Sequence, residues 1–190
     1  MNPLINDLSA CTHCASKLPL PPRPIFQLHE NARLLIAGQA PGMRAHEAGK
    51  PFADASGQRL RQWLGVTEDE FYNPRKVAIL PMGLCYPGKG ASGDLPPLPE
   101  CAVRWRPEVL SALPNIRLTL LLGQYALRWH LGERMGPNLT ATVAAWRDHW
   151  PEYLSLPHPS PRNQAWFKRN PWFASEVLPV LQQRIRQLLA

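Results

Sequence analysis

No run in this 190-residue chain approaches the roughly eighteen apolar residues of a membrane span, and no apolar signal segment opens it. No membrane-spanning helix and no membrane partner are expected, and the expected compartment is the reducing cytoplasm, which argues against disulfides. Cysteine is scarce, with Cys11, Cys14, Cys85 and Cys101 the full set. Acidic residues are in deficit, 14 against 21 Lys and Arg, for a net charge of +7. That sign suits a polyanion, nucleic acid first, although charge alone also fits an ordinary soluble basic protein. There are no internal repeats and no composition shift that marks a boundary. The expectation is one monomeric domain over residues 1–190.

What is present in excess is proline, 22 residues where average usage of about 5% gives fewer than half as many. Clusters at 18–24, 94–100 and 156–164 imply rigid, ordered loops. The four cysteines fall as C-x2-C and, 70 residues later, C-x15-C. Four soft thiolates suit an iron-sulfur cluster or a structural zinc, and the spacing does not choose between them; buried inert thiols are the plainer alternative. Basic residues flank aromatics at Arg104, Trp105, Arg106 and at Trp166, Phe167, Lys168, Arg169. Such pairs fit phosphate contact with stacking, and equally a helix with one buried aromatic face.

Apolar periodicity orders the elements. Residues 33–37, 76–81, 116–122 and 153–156 read as strands, the second and third continuously apolar as strands buried on both faces are. Leu60, Trp63 and Leu64 put a helix at about 57–64, and another covers 124–131. The N-terminal segment reads as irregular. The last helix starts with Asn170 as N-cap and Pro171 at its first position and runs to about 189, with Pro179 expected to kink or split it. Strands alternating with helices give an α/β fold, a three-layer sandwich with a central, mainly parallel four-stranded sheet. Ligands in such sheets gather beyond the carboxyl ends of the strands, where GQAPG (38–42), MGLCYPGKG (82–90) and HPSPRN (158–163) lie.

Those loops carry a resemblance. GQAPG followed by GKPF (49–52), the strand leading to Cys85-Tyr86-Pro87, LLG at 121–123 and His158-Pro159-Ser160 resemble the motifs of the uracil-DNA glycosylase superfamily. The match is closest to its iron-sulfur branch, often called family 4, and the number, order and spacing of the cysteines fit that branch too. The resemblance implies a 4Fe-4S cluster on Cys11, Cys14, Cys85 and Cys101, with zinc the lesser choice, and a structural role for it in organising DNA-binding surface. It implies a monofunctional DNA-repair hydrolase that flips uracil, or another deaminated base, out of DNA and leaves an abasic site, with no lysine nucleophile among the matched motifs. Deaminated DNA is then the expected partner.

Residue by residue, the resemblance makes Phe52 the ring on which the base stacks and His158 the donor to the departing base. Gly38 and Gln39 amides would bind the base edge or the attacking water. Ser160, Pro161, Arg162 and Asn163 would hold the opened duplex, and Lys89 would meet a phosphate. Two positions depart from the family. Gln39 replaces a glutamate and can orient water without accepting its proton; Asp54 is the nearest replacement carboxylate, or else the cap of the following helix. Pro81 replaces an asparagine that reads the base, so either the backbone of Met82 and Gly83 takes over or the base preference differs. Together these departures keep a second reading open, a catalytically weak lesion-binding module. An iron-sulfur electron carrier would leave the three loops unexplained.

Overall fold

Four short apolar strands form one parallel sheet in the computed structural model, which describes residues 1–190. In chain order the strands are β1 (Leu34–Ala37), β2 (Val77–Ile79), β3 (Lys89–Gly90), β4 (Gly93–Asp94), β5 (Leu118–Leu122) and β6 (Tyr153–Leu156). The sheet runs β2-β1-β5-β6, while β3 and β4 pair antiparallel as a small separate hairpin. Ile36 stands level with Ile79 on one side and Leu120 on the other, and Leu120 with Leu154. The helices are α1 (Asn2–Ser9), α2 (Met43–Ala48), α3 (Ala55–Leu64), α4 (Glu68–Phe71), α5 (Pro99–Ser111), α6 (Gln124–Leu131), α7 (Leu139–Ala144), α8 (Gln164–Arg169) and α9 (Leu178–Leu189).

Side chains alternate along a strand, so continuous apolar runs supply two cores at once. Leu34, Ile36, Val77, Ile79, Leu118 and Leu120 pack with Leu60, Trp63 and Leu64 of α3 and Leu181 and Ile185 of α9. Their neighbours Leu35, Ala78 and Leu80 face the other way, onto Leu8 of α1 and Trp105 and Val109 of α5. Ala37 and Leu121 meet Ala126 and Leu127 of α6 on that same side. The result is the expected three layers. Leu60 and Leu64 are at most 1% exposed, and such burial stabilises by on the order of 1.5–3 kcal/mol per side chain.

Several expectations need correction. The N-terminal segment is helical from Asn2 to Ser9 because Leu8 anchors it in the core. The sequence reading also passed over α5, which begins with Pro99 at its first turn, a position needing no N–H donor, and carries Pro107 inside. Asn170 does not cap a helix with its side chain: Nδ2 donates to the Trp166 carbonyl at 2.8 Å and Oδ1 accepts from Trp172 Nε1 at 3.2 Å. Pro179 changes the coil of the last helix without breaking it, since the backbone stays helical from Trp172 to Leu189. It sits in the first turn of α9, preceded by a five-residue π turn at Phe173–Val177, the wider coil accommodating a residue without an N–H. Trp166 and Phe167 pack edge-on to Phe173, at 5.7 Å, and to Trp63, at 5.4 Å. They belong to the core wall rather than to a stacking surface.

Candidate active site

The loops after β1, β2 and β6 close on one cleft of about 590 Å³ at the carboxyl edge of the sheet. Gly38, Gln39, Phe52, Asp54, Pro81, His158 and the 160–163 turn line it, and the β3–β4 hairpin adds Ser92, Gly93 and Asp94 from the opposite side. Crossovers that place helices on both faces leave this edge free for loops, which is why residues 120 positions apart meet there.

Phe52 is the one non-glycine residue with positive φ, at 55°. Backbone strain of that kind persists only where the surroundings impose it. The Tyr72 hydroxyl reaches the carbonyls of Pro51 at 2.9 Å and Phe52 at 3.2 Å. A Cβ on Gly57 would lie 1.8 Å from the Phe52 carbonyl oxygen, so a glycine in the first turn of α3 lets this turn approach. The ring stands edge-on to buried Phe71, centroids 6.1 Å apart, and its Cζ lies 3.3 Å from where a Cβ on Gly38 would be. Phe52 is thus pinned with one edge against the GQAPG turn.

His158 follows β6. Its Nδ1 accepts the Ser160 backbone N–H at 3.2 Å, which fixes the proton of the neutral ring on Nε2. Burial holds its pKa below the ordinary value, opposed by Asp54 and Asp94. At neutral pH the ring is therefore uncharged, with one N–H to offer. Asn163 is turned inward to hold it, its Nδ2 donating to the His158 carbonyl at 2.7 Å. Ser160 Oγ accepts the Arg162 N–H at 3.2 Å, and Arg59 Nη1 donates to the Ser160 carbonyl at 3.1 Å. Arg162 and Pro161 stay exposed, as does Lys89 on the hairpin.

Asp54 both lines the cleft and caps α3, its Oδ1 accepting the Gly57 N–H at 3.0 Å. The Gln39 amide lies over Gly123, whose φ is 81° and where a Cβ would come within 2.6 Å of Nε2. Met82 and Gly83 fall outside the cleft lining. Their N–H groups donate to the Gly38 carbonyl at 2.9 Å and the Gln39 carbonyl at 2.8 Å, continuing the β1–β2 ladder, so they have no N–H left for a base edge. Behind Pro81, Arg106 is 1% exposed and donates to the Leu80 and Pro81 carbonyls at 2.9 and 3.2 Å, with Nη2 2.7 Å from His130 Nε2. Trp105 is buried as well, leaving only Arg104 of that trio at the surface.

A family model described as the uracil DNA glycosylase superfamily matches residues 26–182, a span that contains every cleft residue named above. The chain belongs to the uracil DNA glycosylase superfamily. Among solved structures, a solution NMR structure of a candidate uracil DNA glycosylase from Methanosarcina acetivorans is similar at 16% identity. It covers 84% of this chain and 97% of its own, with a TM-score of 0.47. The superfamily match begins after Cys11 and Cys14.

The structure brings all four cysteines of this superfamily member to one small pocket walled by Leu18, Pro22, Leu84 and Leu98. None is in a disulfide. Trp105 Nε1 donates to Cys11 Sγ at 3.3 Å and the Leu84 N–H to Cys101 Sγ at 3.4 Å. Burial raises the Cys14, Cys85 and Cys101 thiols, Cys101 to about 11, and the sulfurs repel one another as thiolates. A cationic centre would relieve that repulsion, while the two N–H groups go on donating to the ligating sulfurs. No three Cys, His, Asp or Glu side chains are grouped as ligands of a metal ion. Four thiols lining one pocket are a donor set that iron-sulfur clusters and zinc both use.

Tyr72, Arg59 and Asp94 are site residues that the sequence reading missed. Tyr72 and Arg59 act through backbone carbonyls far along the chain and leave no motif. Asp94 lies in a Gly-Pro-rich stretch that reads only as a turn.

Proposed function

We propose that this chain is a monofunctional DNA glycosylase that hydrolyses the N-glycosidic bond of uracil, or of another deaminated base, flipped out of DNA, and leaves an abasic site. One observation carries the reading: an aromatic side chain on a backbone held at positive φ and a histidine fixed as an Nε2–H donor line the same cleft. Phe52 offers a face to the extruded base. His158 donates to the oxygen on which charge collects as the bond breaks, an interaction worth about 2.7–4 kcal/mol when supplied by a preorganised donor. Being neutral, His158 gains most from the anionic leaving group and little from the uncharged base, which is the condition for accelerating the step.

Arg44, Lys89 and Arg162 are exposed around the opening and suit phosphate contact. Lys50, within GKPF, is tied to Glu68 at 3.1 Å and stacked on Tyr72 at 3.6 Å, which argues against a Schiff base and a strand-cleaving step. In this reading Cys11, Cys14, Cys85 and Cys101 hold a 4Fe-4S cluster. When bound it supplies a structural cross-link and takes no part in bond cleavage. It would tie the N-terminal segment to α5 and to the loop whose Gly83 N–H supports the GQAPG turn.

The second reading, a lesion-binding module, is favoured by two observations: the Gln39 amide lies on Gly123, and Pro81 offers no N–H. Duplex and single-stranded oligonucleotides carrying uracil, hypoxanthine or xanthine, treated with alkali to reveal abasic sites, separate the two. Release from at least one supports the glycosylase; binding without release from any supports the module.

A further inference from the structure

We infer that Asp94, on the β3–β4 hairpin, is the carboxylate that accepts the proton of the attacking water. The inference rests on the glycosylase reading above and assigns it a residue from outside the matched motifs. Three side chains could serve a water in the cleft, and two are compromised. Gln39 cannot accept a proton, and its amide lies against Gly123. Asp54 has one carboxylate oxygen committed to the Gly57 N–H, where it caps α3. Asp94 forms none of the ion pairs in the molecule. Its Oδ2 lies 3.2 Å from the position a Cβ on Gly42 would take, so the carboxylate closes over the last glycine of GQAPG from across the cleft.

The hairpin that carries it is held in place. Lys89 pairs with Asp94 and Gly90 with Gly93, the Leu95 N–H donates to the Gly88 carbonyl at 2.8 Å, and Arg162 Nη1 donates to the Ser92 carbonyl at 3.3 Å. The last bond joins the hairpin to the loop that bears His158.

The step balances with water as the only co-reactant. The C–N bond breaks, and its electrons leave with the base, whose anion accepts a hydrogen bond from His158 Nε2–H, which keeps its proton. Water oxygen bonds to C1′ of the oxocarbenium-like sugar, and its proton passes to Asp94. General-base assistance of this kind contributes about 10²–10⁴-fold.

Single-turnover excision with saturating enzyme, run beside anisotropy binding of the same oligonucleotide, tests the assignment. Asp94→Asn, nearly isosteric and on an exposed hairpin, is expected to slow excision about 100-fold or more with DNA affinity and melting temperature unchanged. Asp94→Glu restores part of the rate. Asp54→Asn keeps the cap, since Asn caps as well as Asp, and loses far less activity. If Asp94→Asn stays within about threefold of wild type while Asp54→Asn collapses, the assignment to Asp94 fails and the glycosylase reading stands. If wild type releases no base from any substrate, both fail. An Asp94→Asn protein that does not fold, with Asp94→Glu as slow as an Asp94→Ser variant that does, also overturns it.

Discussion

Replacing Gly57 with alanine sets two effects of opposite sign against each other. Gly57 is the third residue of α3 and its φ is not positive, so helix propensity alone favours alanine by about 1 kcal/mol. Against this, the new Cβ would stand 1.8 Å from the Phe52 carbonyl oxygen and 2.7 Å from its carbonyl carbon and Cβ. Backbone atoms cannot yield as a flexible side-chain end can, so either the 50–54 turn or the first turn of α3 must move. Overpacking of that kind costs about 1–3 kcal/mol, and displacing the Gly57 N–H from Asp54 adds about 1 kcal/mol for a lost cap. The collision wins, leaving a net destabilisation of about 1–3 kcal/mol, which at this chain length lowers the melting temperature by about 2–4 °C per kcal/mol. Excision should fall further than stability, because moving Phe52 by about 1 Å misplaces the base and such misplacement costs about 100-fold. Thermal unfolding followed by single-turnover kinetics on folded protein measures both. A Gly57→Ala protein as stable and as active as wild type would refute the claim that α3 pins Phe52.

Three further outcomes are expected. His158→Gln should lower single-turnover excision about 10²–10³-fold while DNA affinity, read by anisotropy, stays close to wild type. His130 is pushed down to about 3, by burial first and Arg106 second; a depressed histidine penalises folding only once the unfolded state begins to protonate. Stability should therefore be full above about pH 6.5 and fall, by up to about 1.4 kcal/mol per pH unit from this group, as pH drops toward 3, with urea melts of His130→Gln showing a flatter decline. Cys101→Ser should lose bound iron, measured by metal and sulfide analysis, and expose the 80–98 loop to limited proteolysis; purified wild type carrying zinc and no iron would overturn the cluster assignment.

Much of the sheet is legible in the residues. Runs such as LLIA and LTLLL are continuously apolar because both faces of a parallel strand are covered, and Leu60, Trp63 and Leu64 announce α3 by their spacing. Pro179 marks the change of coil at the start of α9 because proline lacks an N–H whatever surrounds it. α1 was not legible, since its one fully buried residue, Leu8, joins a core cluster built from segments far along the chain, α5 and the sheet among them. Within the site, GQAPG, MGLCYPGKG and HPSPRN were readable as loops with a shared address, beyond the carboxyl ends of the strands. Hydrogen bonds that commit Asn163 to His158, and the Met82 and Gly83 amides to the ladder, were not, because each joins a residue to a backbone group that the sequence does not distinguish.

By itself the sequence determined the α/β class, the loops beyond the strand ends, the absence of a long apolar helix and the supply of four thiols. These follow from local propensity and periodicity, which act between residues a few positions apart. Only the tertiary structure decided that Phe52 sits at positive φ under Tyr72 and Gly57, that His158 carries its proton on Nε2, that the cysteines share a pocket, and that Asp94 faces the GQAPG turn. Each depends on contacts between distant segments, where close packing and hydrogen-bond geometry choose among conformations that the local sequence leaves equally available.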